Sequence, residues 1–185
     1  MDIIEAIHSR VSEGKMRPEP LPRELIEKLL DAAVQAPNHY KVRPWRFVVL
    51  IRDGRNRLGN LMAEVLYQKY PELKAEALDK ERAKPLRSPV IIAVGVDRPI
   101  ETKVSELENI CATAAACQNI LLAAHAFGLG AHWRTGDAAR DPLVKKFLGF
   151  TKDQQLIAFL YIGYPEVPRE QYKRVGFEDR TIWIE

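Results

Sequence analysis

The sequence of 185 residues predicts one α+β or α/β domain in which helices pack on a central sheet. Two observations lead to this prediction. Short apolar runs typical of buried strands alternate irregularly with segments of helical period, and one helical segment is long and rich in alanine. An apolar content of 46% and a charged content of 29% are ordinary for a soluble globular protein. The irregular alternation predicts a sandwich of helices and sheet.

The N-terminal part of the chain is predicted to be helical. Residues 2–10 have the pattern of a short amphipathic helix with three isoleucines on one side. Pro22 stands at the favoured first position of a second helix. This second helix should end at Ala36, because a residue that precedes proline resists the helical conformation.

The next segments supply two predicted strands. Residues 45–51 form a buried apolar strand, and Asp53-Gly54 is expected to turn the chain after it. Residues 89–96 form the second strand. Between the two strands, a further helix is indicated by apolar residues at helical spacing, namely Leu58, Met62 and Leu66.

The Ala-rich helix is long enough to cross a whole small domain, at about 1.5 Å per residue. Both cysteines, Cys111 and Cys117, belong to it. They are about 240° apart around the helix, so no disulfide is expected, and both are interpreted as small core residues. The packed stripe of the helix is predicted to comprise Leu107, Cys111, Ala114, Ala115, Gln118, Leu121 and Ala124.

Two more strands follow, at residues 131–134 and 155–162. Residues 181–184 are a β-prone piece that is isolated beyond a polar stretch. One hypothesis is that this piece pairs with a sheet edge in another subunit.

Composition and patterning exclude several classes of function. The net charge of +3 is dispersed along the chain, so no nucleic-acid binding is expected. No apolar run is long enough for a membrane span. The acidic N-terminus lacks the basic start of a secretory signal, which predicts a cytoplasmic protein. The cysteines and histidines have no metal-binding spacing, so no metal site is expected.

Three segments carry candidate binding residues. Arg10 and Ser12, at the exit of a helix, could grip a phosphate through charge-assisted hydrogen bonds. The alternative is that Arg10 only complements the helix C-terminus. The loop 36–45 places polar side chains between two prolines and is either a binding loop or a solvated connector. Arg134 follows a strand core, and it either needs a buried partner or extends to water.

The side chains that usually perform covalent or acid–base catalysis are not arranged for it in this sequence. There is no phosphate-binding P-loop, no His-Glu-x-x-His motif and no nucleophile elbow around Ser88. If the protein is an enzyme, a cofactor is therefore expected to carry the chemistry.

Taken in order, these segments resemble the FMN-dependent nitroreductase family over nearly the whole chain. The resemblance rests on the N-terminal Arg-x-Ser, the Ala-Pro…Pro-Trp-x-Phe unit of residues 36–47, and the Arg-Ser-Pro that opens the second strand. The Ala-rich helix that ends in Gly-Leu-Gly and the Phe-Leu-Tyr-Ile-Gly-Tyr-Pro of residues 159–165 complete it. The short length is similar to the minimal branch of the family.

This resemblance implies a nitroreductase-like α/β/α sandwich with a mostly antiparallel sheet, formed by residues 1–185 as a single domain. It further implies an intertwined homodimer with FMN at the subunit interface and a tail, about residues 168–185, that wraps the partner. NADH or NADPH would be the co-substrate, and small electrophiles such as nitroaromatics or quinones would be the acceptors in a ping-pong reaction. No side chain would be catalytic, because the flavin carries the hydride.

The resemblance also implies the cofactor-binding residues. The family positions that bind the FMN phosphate are matched by Arg10, Val11 and Ser12. Arg174 matches a basic residue late in the family sequences that lies near this phosphate. Arg134 is the candidate cation for the reduced ring. The partner's loop would reach the flavin with Gln35, Asn38 and His39, and the segment beside the ring comprises Trp133, Arg134, Thr135 and Gly136.

The chain departs from the family pattern at Val11, Lys15, Asn38, Lys41 and Arg43. These departures leave open whether Lys15, Lys41 and Arg43 contact the flavin. Two other readings of the same scaffold also stay open. One is a flavin dehydrogenase or dehalogenase, and the other is a flavin-binding protein without turnover.

Overall fold

The computed structural model describes residues 1–100, 103–167 and 174–185. The part of the expected wrapping tail at residues 168–173 lies outside these ranges. The helices are α1 (Ile3–Ser9), α2 (Arg23–Val34), α3 (Asp53–Lys69), α4 (Ala75–Ala83), α5 (Glu106–Ala126), α6 (Asp137–Arg140) and α7 (Pro142–Phe147). The strands are β1 (Trp45–Ile51), β2 (Val90–Val96), β3 (Gly130–Arg134) and β4 (Gln155–Gly163).

The four strands form one antiparallel sheet in the order β1-β2-β4-β3 among the described residues. All four begin and end within one residue of the positions predicted from the apolar runs. The central strand β2 is buried along its whole length, which explains its continuous apolar sequence. Helices α2 and α5 cover one face of the sheet, and α3 and α7 cover the other. The predicted three-layer α/β/α sandwich is therefore confirmed.

One predicted helix start and one predicted turn lie at other positions in the structure. Pro22 lies one residue before α2, where its carbonyl oxygen accepts a hydrogen bond from the N–H of Leu25 at 3.1 Å. Asp53 and Gly54 do not form a separate turn, because they are already the first residues of α3. The chain reverses at Arg52 instead, whose φ of 47° lies in the left-handed region that side chains usually avoid.

The predicted stripe of α5 is wrong for three of its seven residues. Leu121 and Ala124 are buried, but Leu107 is 68% exposed, and Cys111 and Gln118 are exposed as well. The helix instead packs a neighbouring set of buried residues on the sheet, among them Ala112, Ala116 and Ile120. Since apolar residues occupy both faces of α5, the sequence pattern alone does not show which face is covered within one chain.

The two cysteines lie on different sides of α5, as their spacing predicts. Cys117 is buried, and this burial raises the pKa of its thiol to about 12. Cys111 is exposed, so the interpretation of both cysteines as core residues is wrong for Cys111. Both thiols are free, and only Cys111 can meet a second molecule.

The C-terminal β-prone piece forms no strand within the described chain. A short 3-10 turn at Glu178–Arg180 precedes it, and the remaining residues are irregular. Ile182, Trp183 and Ile184 are 89%, 78% and 95% exposed. Three consecutive large apolar side chains in water are unfavourable. Across the described ranges, no helix has the length and hydropathy needed to cross a lipid bilayer.

Candidate functional site

The N-terminal binding segment lies beside the outer strand β3. Ser12 forms a parallel bridge with Ala131, and the N–H of Glu13 donates to the carbonyl oxygen of Ala131 at 3.0 Å. This bridge brings Arg10 and Ser12 to the beginning of β3, more than a hundred positions away in sequence. The structure therefore joins two of the three segments that the sequence analysis singled out.

Beyond this bridge, the outer edge of β3 has no neighbouring strand among the described residues. In a strand the N–H and C=O of one residue point to the same side, and successive residues alternate. The carbonyl oxygen of Ala131 points outward, to the N–H of Glu13, so the backbone groups of Trp133 also point outward, and Thr135 follows directly after the end of β3. The edge thus offers hydrogen-bond donors and acceptors to a flat polar ligand.

A second arginine lies at the start of this edge. The Nη2 of Arg174 donates to the carbonyl oxygen of Arg10 at 2.7 Å. The Arg174 guanidinium is therefore held at the backbone of residue 10, two positions before Ser12. Such a cluster of donors suits an anion such as a phosphate group.

Trp133 and Arg134 point to opposite faces of the sheet, because side chains alternate along a strand. Trp133 packs against the core on the α5 side. The guanidinium of Arg134 lies on the other side, 5.5 Å from the ring centre of Tyr161. Burial raises the pKa of Tyr161 to about 12, and the nearby Arg134 only partly opposes this effect, so the ring stays neutral. Gly136 ends the segment with a φ of 98°, which glycine adopts readily.

A cavity of about 310 Å³ adjoins Arg10. It also contains His125, from the last turn of α5. The hydroxyl of Ser9 lies 2.7 Å from Nε2 of His125. Burial is the main cause that lowers the pKa of His125, and the charge of Arg10 lowers it further. No sequence pattern indicates His125 as a site residue, because the approach of His125 to Arg10 depends on how α1 packs on α5.

The third candidate segment, the loop before β1, is locally strained. Tyr40, Lys41 and Arg43 all have φ between 48° and 56°, in the left-handed region. Asn38 holds the loop closed, because its Oδ1 accepts a hydrogen bond from the N–H of Arg43 at 2.9 Å. Strained backbone of this kind is concentrated at binding and catalytic sites. The loop therefore has a defined conformation, and its side chains are largely exposed.

This loop forms one wall of a groove of about 420 Å³. The other wall is the N-terminal half of α5, with Glu108, Cys111 and Ala115. Glu108 caps its own helix, since its Oε2 accepts hydrogen bonds from the N–H and the hydroxyl of Ser105 at 2.7 Å and 2.9 Å. These bonds lower the pKa of Glu108. Its Oε1 lies 3.8 Å from Nδ1 of His39.

Gln35 does not join this groove. It is the C-cap residue of α2, and its side-chain Nε2 donates back to the carbonyl oxygen of Asp31 at 3.3 Å. Gln35 lines a different depression, together with Ile3 of α1 and Leu122 of α5. Its predicted place beside Asn38 and His39 is therefore not found within one chain.

The loop and the Arg10 end are far apart in a single chain. The groove of His39 contains Cys111, whereas the cavity of Arg10 contains His125, fourteen residues later on the same straight helix. This separation is about 21 Å at 1.5 Å per residue. The sheet separates them too, because the loop precedes β1 while Arg10 adjoins β3, about 14 Å away across three strand spacings. One chain alone cannot bring all the predicted site residues together.

Comparison with known proteins identifies the family. The model of the nitroreductase family matches residues 7–164. The chain belongs to the nitroreductase family. An Escherichia coli K12 protein named "Putative NAD(P)H nitroreductase YdjA" is 31% identical over 168 residues, which is 90% of each chain.

Solved structures with the nitroreductase fold superpose on this family member over its whole length. A nitroreductase-like protein from Bacillus cereus is 28% identical, with a TM-score of 0.84, and the match covers 100% of this chain and 97% of that one. A nitroreductase from Desulfovibrio desulfuricans, solved in complex with FMN, has a TM-score of 0.79 and 24% identity, with 100% and 98% coverage. At that identity, the second comparison concerns the fold alone.

In this nitroreductase-family chain, the matched region contains every predicted site residue except Arg174, which lies beyond it. Lys15 lies near Glu166, whose N–H donates to its carbonyl oxygen at 3.3 Å. Within the described ranges, no cluster of His, Cys, Asp or Glu has the arrangement of a metal site.

Proposed function

We propose that this protein is an FMN-dependent oxidoreductase that takes a hydride from NADH or NADPH and passes it to small electrophilic acceptors, such as nitroaromatics or quinones. The observation that carries the proposal is the meeting of Arg10, Arg174 and Ser12 at the start of an open strand edge. A cationic end followed by a row of backbone donors matches a ligand that has an anionic end and a flat polar ring.

The residues present suit FMN at both ends. Its phosphate is dianionic, and Arg10, Arg174 and the Ser12 hydroxyl supply charged and neutral donors for it. Val11 lies in the extended segment beside β3 and lines the cavity of Arg10. Bound FMN supplies hydride transfer through its N5 atom, which no side chain here provides.

The ring would lie along the outer edge of β3. The outward backbone groups of Trp133 and those of Thr135, just beyond the strand, would bond the polar edge of the ring, and Gly136 would leave room beside it. Arg134 is held by the Tyr161 ring at the same place and would stabilise negative charge on the reduced cofactor. The roles of Lys15, Lys41 and Arg43 stay open in this arrangement.

We also infer that the functional unit is a homodimer. The uncovered face of α5, with Leu107, Cys111 and Gln118, is continuous with half-buried small residues that let another helix approach closely. In α1, the residues Ile3, Ile4 and Ile7 are 62%, 62% and 44% exposed. An antiparallel second copy on this face would carry its Asn38–His39 loop to the Arg10 end of the first chain. The site would then be complete, with Gln35 of the partner close to it.

The free edge of β1 and the groove beside it offer a binding surface for the C-terminal piece. Strand β1 is an outer strand, and no described strand pairs with its free edge. Beside this edge lies a groove of about 570 Å³, with Ile26, Leu30, Val49 and Ile51 in its lining. We infer that residues 181–184 of a second copy add to this edge, because strand addition satisfies the backbone groups of the edge and buries the exposed apolar side chains.

Removal of residues 181–185 tests this tail exchange. Without the tail, the groove beside β1 stays open and the dimer loses an apolar contact from each chain. We expect a lower melting temperature and a dimer that dissociates at higher protein concentration, as measured by calorimetry and analytical ultracentrifugation. As a control, Val175 and Val167, 90% and 75% exposed, are replaced by serine with the tail intact. A truncated protein with unchanged dissociation and melting would contradict the exchange.

The proposed activity has a direct spectroscopic test. Purified protein is expected to be yellow, with about one FMN per chain, and to lose its flavin absorbance when NADH or NADPH is added without oxygen. Addition of a quinone or nitroaromatic should then restore the absorbance, as a ping-pong reaction requires. Colourless protein that takes up no added FMN would refute the proposal. Bound FMN that neither nucleotide bleaches would favour a flavin-binding protein or a flavin dehydrogenase with another donor.

A further inference from the structure

The cavity beside Arg10 contains a histidine that the proposed function does not use. His125 lines it together with Ser9, Arg10 and Val11. Its ring is reached from the cavity but is partly shielded by α1 and by the residues that follow it. A histidine next to a proposed phosphate site can change its charge near neutral pH, which no other side chain lining this cavity does as readily.

The hydrogen bonds around Ser9 fix which ring nitrogen carries the proton. The Ser9 hydroxyl lies 2.6 Å from the carbonyl oxygen of Glu5 and 2.7 Å from Nε2 of His125. A carbonyl can only accept, so the single hydroxyl proton of Ser9 is donated to Glu5. Nε2 of His125 must then donate its own proton to the Ser9 oxygen. The Nδ1 atom of the neutral ring is left with a lone pair that can take a second proton.

Several charged groups act on this ring from the elements around it. Burial lowers the pKa of His125 most, and the positive charge of Arg10 lowers it further. Glu13, only 7% exposed and in the lining of the same cavity, and Glu5 of α1 act in the opposite direction. The balance keeps the ring neutral at neutral pH as long as no anion is present. A dianion close to Arg10 would reverse this balance, because it would offset the repulsion from Arg10 and attract a proton to the ring.

We propose that His125 is a second binding residue for the anion at Arg10, and that it takes up a proton when a phosphate monoester enters this cavity. His125 and Arg10 then form two cationic walls around the phosphate. This inference rests on the proposed FMN site, and it assigns to His125 selectivity for the phosphorylated flavin over riboflavin, which has no phosphate. The ring makes this contribution only in its protonated state, so retention of the cofactor depends on pH.

The direction of this dependence follows from linkage. The pKa of His125 is higher in the occupied protein than in the empty one. The gain in affinity therefore begins as the pH falls below the pKa of the occupied state, and it is complete below the pKa of the empty state. The phosphate has the opposite trend, because it loses its second charge near pH ~6. The two effects on FMN affinity are separated by a variant that lacks the titrating histidine, because its affinity still depends on the charge of the phosphate.

His125→Gln is that variant. Glutamine can donate its side-chain N–H to Ser9 as the histidine does, but it stays neutral at every pH. FMN dissociation constants of apo-protein are measured by quenching of flavin fluorescence at pH about 8.5 and about 6.5. The ratio of the variant constant to the wild-type constant is expected to be near one at the higher pH. At the lower pH it should rise clearly above one, towards a limit, reached below the pKa of the empty state, of about tenfold for each unit by which the phosphate raises the histidine pKa.

Riboflavin and proton uptake provide the controls. The two proteins should bind riboflavin equally at both pH values. Calorimetry of the wild-type protein in two buffers of different ionisation enthalpy, at pH about 8 where FMN is already a dianion, should show uptake of part of a proton with FMN and none with riboflavin. No uptake, or a ratio that does not change with pH, overturns the role of His125 while FMN binding itself persists. If the wild-type protein binds no FMN at all, the proposed function fails and this inference fails with it.

Discussion

Replacement of Arg10 by alanine is expected to weaken FMN binding by about 10- to 150-fold. The change removes a hydrogen bond between charged groups, which typically contributes about 1.5–3 kcal/mol. Arg174 is bound to the backbone of residue 10 and stays in place, so the phosphate should keep part of its contacts. The dissociation constant of FMN, measured by flavin fluorescence with apo-protein, gives the effect directly.

The control for this prediction is Arg82→Ala. Arg82 lies on α4, where it pairs with Asp79, and its loss removes the same charge from another part of the molecule. We expect that variant to bind FMN as the wild-type protein does. Riboflavin affinity should be equal in all three proteins, because the lost contact is with the phosphate. An Arg10→Ala protein with unchanged FMN affinity would refute the phosphate role of Arg10.

Replacement of Cys111 by glutamate is expected to dissociate the proposed dimer and to release the flavin. In a single chain Cys111 is exposed, so the new carboxylate would remain in water and the fold should tolerate it. In the dimer the same position would be buried against the partner, twice per dimer. An unpaired buried charge costs about 3–5 kcal/mol, which raises the dimer dissociation constant by at least about a hundredfold.

The sedimentation coefficient of the apo-protein measures this change without dependence on activity. Tyr67→Glu serves as the control, since Tyr67 is 51% exposed on α3, in the layer on the other side of the sheet. That variant should remain a dimer and should retain FMN. A Cys111→Glu protein that sediments as the wild-type dimer would show that this face of α5 is not the interface.

Most of the strands were predictable from sequence because β1, β2 and β4 are largely apolar runs in the layer between the helices. β2 illustrates this best, since all of its residues are buried and its predicted span differs by only one residue. Helix α3 was predicted from its spacing, but its start was not, because the reversal uses a left-handed Arg52 rather than the Asp-Gly pair that usually marks a turn. The left-handed backbone of Tyr40 and Lys41 was likewise not predictable from the sequence.

The stripe of α5 failed for a different reason. Hydrophobic periodicity reports which residues avoid water, and it does so without distinguishing burial inside one chain from burial against a second chain. Leu107 and Cys111 satisfy the pattern but lie outside the core of the single chain. The same ambiguity explains the C-terminal piece, whose β-prone composition has no partner strand in its own described chain.

By itself, the sequence determined the layers of the fold and the residue types that can bind a phosphorylated flavin, because apolar periodicity and charged side chains are local properties. Only the tertiary structure decided which of these residues meet. It placed Arg10 beside Arg174 and His125, separated the His39 loop from them by the length of α5, and left the β3 edge open. These relations depend on long-range packing between elements that are distant in the chain, and no local pattern encodes the distance between them.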